Sequence, residues 1–185
     1  MAIDNKSLSL KVAIREAILN RIEHPKVLDL YCGMTGEMYD RVWNRADEYL
    51  GCDKYNPHRK AKTARLSAET TIETIDIEMF NIFDLDCYSS PWAVANRIVE
   101  KATGRLGMVL TDGTWRATGG KMNEEMRREL GVGHFSITTL FKRYYHEVSL
   151  IMLKALLSHR TLEYGVMAIP PTRRPIYYGM ILTAK

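Results

Sequence analysis

The sequence predicts an α/β fold in which helices cover both faces of a mostly parallel sheet, and three observations lead to this prediction. Short apolar runs alternate with segments of helical periodicity along most of the 185 residues. Three of the apolar runs end in Gly or Asp, which is common where a buried strand leads into a loop. The composition, 46% hydrophobic and 26% charged, suits one globular domain and excludes a disordered chain or a coiled coil.

The first half of the chain contains four predicted strands. Apolar residues at helical spacing predict a helix over residues 6–23, which His24-Pro25 terminates. Ser90 and Pro91 predict the start of a second long helix, with the Ser90 hydroxyl as its N-terminal cap. Between these helices the pattern predicts a further helix over about 36–46 and strands at 27–31, 49–53, 63–66 and 80–86.

The second half of the chain contains three more predicted strands, at 108–111, 164–169 and 176–183. Between the first two we predict a Gly-rich loop at 117–120, a charged helix over 123–130 and a helical region over about 134–157. The whole chain, 1–185, is predicted to be a single domain. Residues 1–24 would supply its N-terminal helix, and residues 114–146 a helical insertion or lid.

The charge and the N-terminus restrict the class of protein. A formal net charge of +4 permits a nucleic-acid partner without requiring one. The five histidines show no metal-ligand spacing, so no metal site is expected. The N-terminal segment is polar, unlike a secretory signal, and no apolar run is long enough to span a membrane. We therefore expect a cytoplasmic protein without a membrane partner.

The sulfur-containing residues are predicted to be structural. Three cysteines form no CxxC pair, which argues against a disulfide framework and favours a reducing compartment. Cys87 is expected to be a small buried residue and not a nucleophile. Four methionines are predicted to fill the core: Met34, Met108, Met152 and Met167.

Candidate site residues follow three of the predicted strands. Gly33 and Gly36 follow the first strand, Asp53 ends the second, and Asp84 and Asp86 end the fourth. Ligands bind at the carboxyl ends of the strands in such sheets, and the 20 residues between Gly33 and Asp53 are typical of folds whose carboxylate binds a ribose. The sequence has neither a Gly-Lys-Ser/Thr phosphate loop nor GxGxxG. It therefore favours a ligand with a ribose but no pyrophosphate, such as S-adenosylmethionine.

Two segments resemble a known family. Residues 27–36, Val-Leu-Asp-Leu-Tyr-Cys-Gly-Met-Thr-Gly, resemble the first cofactor motif of class I S-adenosylmethionine-dependent methyltransferases. Residues 83–91, Phe-Asp-Leu-Asp-Cys-Tyr-Ser-Ser-Pro, resemble the Asp-Leu-Asp-Pro-Tyr-Gly-Ser-Pro motif of tRNA guanosine N,N-dimethyltransferases, with Cys87 and Ser89 replacing its first proline and its glycine. Residues 107–112 resemble the segment C-terminal to that motif in the same family. The resemblance implies a Rossmann-like sheet with an antiparallel last strand, S-adenosylmethionine as cofactor, and methyl transfer to a base amine in RNA, tRNA or DNA.

The resemblance also implies a role for each candidate residue. Asp86, with a neighbouring carbonyl, would accept the N–H groups of the target amine and orient its lone pair, so positioning supplies most of the catalysis. Tyr88 would take part beside it by stacking on the base. Trp92 and Pro91 would contact the substrate. The cofactor would contact eight residues: Asp29, Tyr31, Cys32, Gly33, Gly36, Asp53, Lys54 and Asp84.

Structural interpretations of these residues stay open at this point. The two glycines also suit a plain strand-to-helix turn, Asp53 an exposed strand end, and Asp86 a helix cap. Tyr88 and Trp92 also suit core packing. Two further functions are compatible with the sequence: a methyltransferase acting on a small molecule or a protein, and a non-catalytic S-adenosylmethionine-binding partner subunit. A homodimer is compatible with each.

Overall fold

The computed structural model describes residues 7–114, 138–170 and 175–185, with 138–144 described by their backbone alone. The Gly-rich loop predicted at 117–120, the helix predicted over 123–130 and most of the predicted lid lie outside the described residues. The strands are β1 (Lys26–Asp29), β2 (Glu48–Cys52), β3 (Thr63–Ala64), β4 (Ile82–Leu85), β5 (Leu106–Asp112), β6 (Thr161–Ala168) and β7 (Ile176–Thr183). The α-helices are α1 (Leu8–Leu19), α2 (Glu37–Arg41), α3 (Ala68–Thr74), α4 (Trp92–Lys101) and α5 (Thr138–Leu156), and 3₁₀ helices lie at Trp43–Arg45 and Ile77–Met79.

Within the described ranges, seven strands form one sheet in the order β3-β2-β1-β4-β5-β7-β6. Strands β1 to β5 run parallel to one another. Strand β7 is antiparallel to both of its neighbours, β5 and β6. The predicted fold class, a Rossmann-like, mostly parallel sheet with an antiparallel last strand, is confirmed. The strand order reverses between β1 and β4, and a crevice opens at that point.

Helices cover both faces of the sheet. On one face, α1 and the first 3₁₀ helix pack through Ile18 and Trp43 on strand residues such as Ile82. On the opposite face, α3, α4 and α5 pack on the alternate side chains of the strands, which point to that face, as Ile98 does with Phe83. The inner strands are therefore buried on both sides, which is why they appear in the sequence as continuous apolar runs. In the part of the chain that the structure describes, no helix combines the length and the apolarity needed to cross a bilayer.

Helix α3 was not predicted from the sequence. Its segment contains the run Thr70-Thr71-Ile72, and β-branched residues favour strands over helices. The helix forms because the Ser67 side chain accepts the N–H of Thr70 at 3.1 Å as an N-terminal cap, and because Thr71 and Ile72 are buried. Tertiary packing and a cap outweigh the local preference here.

Two predicted helix boundaries are wrong. The helix expected over 36–46 ends at Arg41, because Val42 leaves the helical region with φ −134° and the chain continues as a 3₁₀ turn that buries Trp43. The Ser90 hydroxyl does not cap α4: Pro91 stands at the N-cap position, and Ser90 Oγ is buried without a hydrogen-bond partner among the described residues.

The four methionines divide into two pairs. Met108 and Met152 are buried in the core, as predicted. Met34 and Met167 are 68% and 46% exposed, so the prediction that they fill the core is wrong. Met34 lies in the loop after β1, and Met167 lies on the edge strand β6, where one side of the strand has no neighbour in the sheet.

Candidate active site

An open cleft lies where β1 and β4 end, at the reversal of the strand order. Its walls come from α1, from the loop after β1 and from the end of β4. The cleft brings together seven of the residues predicted for the site: Asp29, Tyr31, Cys32, Gly33, Asp84, Asp86 and Tyr88. It also includes Leu8 and Lys11, which were not predicted for the site.

Asp29 ends β1 and orders the chain that follows it. Its Oδ1 accepts the N–H of Tyr31 at 3.2 Å, and its Oδ2 accepts the O–H of Tyr49 at 3.1 Å. Burial and the neighbouring Asp84 raise the pKa of Asp29 well above its usual value. Burial also raises the pKa of the Cys32 thiol to about 12, so that this thiol stays protonated at neutral pH.

The glycine loop, residues 33–36, has left-handed backbone at both ends, with φ 63° at Gly33 and 60° at Gly36. Other residues adopt this conformation at a cost of about 1–2 kcal/mol. A Cβ on Gly33 would have Tyr31 O as its nearest neighbour at 4.0 Å, so this glycine leaves open space in the cleft wall. A Cβ on Gly36 would lie 2.7 Å from Cγ of His58. Gly36 is therefore required for packing beneath His58 and does not line the cleft.

Asp53 follows β2 beside the loop after β1, because the N–H of Cys32 donates to Cys52 O at 3.1 Å. Its Oδ1 accepts the backbone N–H groups of Tyr55 and of the next residue, at 2.8 and 3.2 Å. Its Oδ2 makes no hydrogen bond within the described residues. The exposed Lys54 lies with Nζ 4.6 Å from the centroid of the Tyr55 ring. Both residues lie outside the cleft lining, next to its β1–β2 side.

Asp84 is fully buried and held by two other side chains. Arg15 donates from Nε to Oδ2 at 2.6 Å and from Nη2 to Oδ1 at 2.8 Å, and Trp43 Nε1 donates to Oδ2 at 2.8 Å. Asp84 has no exposed surface of its own, although it is among the residues that line the cleft, so its predicted contact with the cofactor stays a prediction. Its role is to hold α1 and Trp43 on the sheet.

Asp86 lies at the border of the cleft, with its side chain 15% exposed. Lys11 Nζ donates to Oδ1 at 2.8 Å and to Oδ2 at 2.7 Å, and Arg15 Nη2 lies 3.3 Å from Oδ2. Burial works to raise the pKa of Asp86, but Arg15 and Lys11 outweigh it and hold this pKa below its usual value. Asp86 is therefore a carboxylate at neutral pH.

Lys11 and Arg15 are site residues that sequence reasoning missed. Both come from α1, one turn apart, on the same stripe as the buried Ile18 and Ile22. A charged residue in the apolar stripe of a helix is a detectable signal, because a buried arginine requires an acidic partner. The sequence does not indicate that this partner lies 69 residues away, in Asp84.

Three residues predicted to contact the base occupy different environments. Tyr88 lines the cleft and is 75% exposed, so its ring is open to solvent. Pro91 is buried at the start of α4. Trp92 is 1% exposed: its Nε1 donates to Asp112 Oδ2 at 3.3 Å, and its ring packs edge-on against Tyr178. Both Pro91 and Trp92 are therefore buried in the described structure, and the substrate contacts predicted for them stay predictions.

Cys87, which replaces a proline of the tRNA-enzyme motif, braces the segment after Asp86. Its single S–H group lies within hydrogen-bond distance of Ser89 O, at 3.2 Å, and of Thr111 O, at 3.6 Å, and the N–H of Gly113 donates to Ser89 O at 3.1 Å. Cys87 is buried as expected, and burial raises the pKa of its thiol to about 12, which leaves no thiolate for nucleophilic attack. These hydrogen bonds hold the segment in place without the ring of a proline.

The comparisons with known proteins agree with this architecture. No protein-family model matches the sequence, and neither does any curated protein sequence. Among solved structures, N-methyltransferase NodS from Bradyrhizobium japonicum superposes with a TM-score of 0.58 at 9% identity, over 98% of this chain and 99% of that one. The fibrillarin/Nop5p complex contains a chain that superposes with a TM-score of 0.57 at 12% identity, over 95% of this chain and 81% of that one.

A third solved structure comes with its own substrate. The 1,6-didemethyltoxoflavin-N1-methyltransferase from Burkholderia thailandensis, in complex with 1,6-didemethyltoxoflavin and S-adenosylhomocysteine, superposes with a TM-score of 0.54 at 15% identity. The match covers 98% of this chain and 80% of that one. At identities this low the likeness is one of fold, and the fold is that of the class I S-adenosylmethionine-dependent methyltransferases.

Proposed function

We propose that this protein is an S-adenosylmethionine-dependent methyltransferase that methylates an exocyclic amine of a base in nucleic acid. One observation carries the proposal: the open glycine Gly33 and the carboxylate of Asp86 face the same cleft, at the ends of adjacent parallel strands. Gly33 suits the close approach of a cofactor, and the carboxylate of Asp86 suits the binding of an amine. In this sheet, a bound cofactor would therefore lie next to the group that orients its acceptor.

The residues around the cleft fit S-adenosylmethionine. Gly33 leaves space for the methionine part of the cofactor to approach the backbone. Asp53 has one carboxylate oxygen tied to backbone N–H groups and the other without a partner in the described residues, so a ribose hydroxyl finds a fixed acceptor there. Lys54 and Tyr55 lie just beyond Asp53 and are exposed, so they would be able to flank the adenine of the cofactor.

The residues at the end of β4 would position the acceptor. When bound, S-adenosylmethionine supplies an electrophilic methyl group. Asp86, a carboxylate at neutral pH, accepts an N–H of the target amine and turns the nitrogen lone pair out of conjugation with the ring. A carboxylate has about four acceptor positions, and Lys11 and Arg15 leave at least one of them free on Oδ1. Asp86 is therefore able to bind the amine while Lys11 stays in place.

Two surface features favour a nucleic acid as the substrate. The exposed ring of Tyr88 at the cleft suits stacking on an unpaired base. Three basic residues near the β2–β3 end of the sheet, Arg59, Lys62 and Arg65, are also exposed and suited to phosphate contacts.

The proposal is tested by incubating the purified protein with methyl-labelled S-adenosylmethionine and separate pools of tRNA, rRNA, DNA and protein. We expect label in one nucleic-acid pool, released by nuclease. We expect Asp86→Asn to lower the rate by roughly 100-fold or more, because an amide offers one acceptor oxygen in place of two and no charge. The exposed Asp47→Asn is the matched control and should retain the wild-type rate. Absence of label from every pool, or a wild-type rate for Asp86→Asn, would contradict the proposal.

A small-molecule substrate is the second candidate. It is favoured by the likeness to the Burkholderia thailandensis enzyme, whose structure holds a small heterocycle. The same experiment separates the two candidates, because small-molecule methylation requires a metabolite extract and gives label that survives nuclease. Binding of S-adenosylhomocysteine without transfer to any acceptor would favour a non-catalytic partner subunit instead.

A further inference from the structure

We propose that His58 is a positioning residue that holds the glycine loop in its ligand-binding shape and makes ligand affinity at this loop fall at acid pH. This role rests on the proposed function, because the ligand considered is S-adenosylhomocysteine. His58 lies in the basic segment after β2 and outside the cleft lining.

His58 contacts both ends of the glycine loop. Its backbone N–H donates to Gly33 O at 2.8 Å, and its ring lies on Gly36 so closely that no Cβ fits between them. The residue is 2% exposed, although its neighbours in sequence, Arg59 and Lys60, are exposed. A polar ring buried in a basic surface segment is held there by its hydrogen bonds.

The hydrogen bonds of the His58 ring determine its tautomer. Nδ1 lies 3.2 Å from the backbone N–H of Lys60, so Nδ1 is an acceptor and the proton of the neutral ring is on Nε2. Nε2 lies 3.0 Å from the Tyr49 hydroxyl, which therefore accepts from His58 and donates in turn to Asp29 Oδ2 at 3.1 Å. A directed chain thus runs from the segment after β2, through β2, to the end of β1.

This chain links two parts of the cleft wall. Asp29 holds the N–H of Tyr31 at the start of the loop after β1, and His58 holds the two glycines at its end. Tyr39 from α2 packs against both rings of the chain, with centroids 4.8 Å from that of Tyr49 and 5.6 Å from that of His58. The shape of the loop therefore depends on the neutral form of His58.

Protonation of His58 would break the chain at Lys60. A proton on Nδ1 would face the backbone N–H of Lys60. Both groups would then be donors, and the hydrogen bond from Lys60 N–H to Nδ1 would be lost. Burial and the ammonium of Lys60 already lower the pKa of His58, against the opposing effect of Asp40. The titratable groups that face the ring are Tyr39, Asp40, Tyr49 and Lys60. Asp29 lies beyond the Tyr49 hydroxyl, and Cys32 lies at the backbone N–H of His58.

The sign of the pH dependence follows from the lowered pKa. If the ligand binds the loop only with neutral His58, the complex carries fewer protons than the free protein below about pH 6.5. Affinity should therefore be constant above that pH and should fall as the pH drops through the lowered pKa of His58. One proton limits the fall to about tenfold per pH unit.

The test measures S-adenosylhomocysteine binding to the full chain by titration calorimetry between about pH 8 and about pH 5.5. We expect the wild-type Kd to rise as the pH falls toward the lower end of this range, by no more than about tenfold per pH unit. His58→Gln has no titrating ring and should give a flatter Kd profile, from which the contribution of His58 is missing while that of the Asp29 carboxyl remains. His24→Gln, at an exposed histidine paired with Asp47, is the matched control and should keep the wild-type profile.

A second pair of variants tests the chain without removing the histidine. Tyr49→Phe deletes the linking hydroxyl and should raise the Kd about fivefold at every pH. Tyr39→Phe leaves the packing against the same rings intact and should bind as the wild type does. Tyr49→Phe carries the test if His58→Gln fails to fold, as judged by its thermal transition at about pH 8.

The outcomes separate this inference from the proposed function. A wild-type protein that binds S-adenosylhomocysteine with a pH-independent Kd, or a His58→Gln variant that keeps the wild-type pH profile, overturns the role of His58 alone. Tyr49→Phe binding as tightly as Tyr39→Phe overturns the chain. A wild-type protein that binds no S-adenosylhomocysteine at any pH overturns the proposed function together with this inference.

Discussion

The two sides of the cleft are held together by different forces. On the α1–β4 side, a charged clamp of Lys11, Arg15, Asp84 and Asp86 joins the first helix to the end of β4. On the β1–β2 side, the glycine loop is held by neutral hydrogen bonds, a histidine ring and two left-handed glycines. The clamp consists of opposite charges, whereas the chain on the other side contains the titratable ring of His58 and ends on the carboxyl of Asp29.

This difference predicts different consequences of mutation. A broken buried ion pair leaves a charge in a medium that solvates it poorly, so the clamp should control the stability of the fold. The glycine loop contributes fewer buried charges and lies at the ligand, so its changes should appear mainly in affinity. Variants on each side test whether the clamp controls the stability of the fold and the glycine loop controls the affinity for the ligand.

The largest expected effect belongs to Arg15→Met. Among the described residues, the variant leaves the buried carboxylate of Asp84 with the Trp43 indole as its one side-chain hydrogen-bond partner, and it should lose about 3–5 kcal/mol of stability. For a chain of this size, that corresponds to a fall in Tm of roughly 10 °C, measured by circular dichroism.

Two further variants control for the loss of a long side chain. Arg41→Met removes an arginine from an exposed pair with Glu37 and should leave the Tm nearly unchanged. Arg15→Met/Asp84→Asn removes the buried charge as well as its partner and should recover part of the lost stability. An Arg15→Met protein as stable as Arg41→Met would mean that the clamp does not hold the fold.

A smaller effect is expected at the glycine loop, where Gly36→Ala is compared with Gly104→Ala. The two glycines share a left-handed backbone, φ 60° and 69°, but a Cβ at 104 meets nothing within 4 Å. Both variants should lose about 1–2 kcal/mol from strain in chemical denaturation. Gly36→Ala should lose more because its Cβ displaces His58, and it alone should weaken S-adenosylhomocysteine binding. Equal values for the two variants would show that the His58 contact contributes nothing.

The smallest stability effect is expected for Lys11→Met. The Lys11–Asp86 pair lies at the cleft border, with side chains 24% and 15% exposed, so water screens the unpaired carboxylate. The loss should be about 1 kcal/mol, and the pKa of Asp86 should rise toward its usual value. Denaturant titration measures the first effect and carboxyl NMR the second. A loss as large as that of Arg15→Met would remove the distinction between the buried and the exposed half of the clamp.

The sequence predicts most strands and helices of this molecule well. Buried parallel strands appear in it as apolar runs, and helices appear as segments in which apolar residues recur at helical spacing. The residues that end β1, β2 and β4 were located for the same reason: a strand end places its next side chains at the ligand edge of the sheet. Gly33 and Asp86 share a cleft as the motifs implied.

The remaining features depend on contacts that no local pattern contains. Arg15 meets Asp84 across 69 residues, and His58 meets Gly36 only because the segment after β2 folds back over the loop. Trp92 looked like an aromatic residue near the substrate, yet Asp112 and Tyr178 hold it in the core. Helix α3 depends on a cap and on packing that outweigh its β-branched residues. In each case, contacts with residues distant in the sequence determine where the side chain lies or which secondary structure forms.

The cofactor site proposed at the ends of β1 and β2 is tested most directly by calorimetric titration of S-adenosylhomocysteine into the wild-type protein and into Asp53→Ala, with Asp47→Ala as the control. We predict one site per chain and a loss of affinity in Asp53→Ala of roughly tenfold or more, because the ribose hydroxyls lose a charged acceptor. Asp47→Ala should bind as the wild type does. No binding to the wild-type protein, or equal affinity of Asp53→Ala and wild type, would contradict the placement of the cofactor at the ends of β1 and β2.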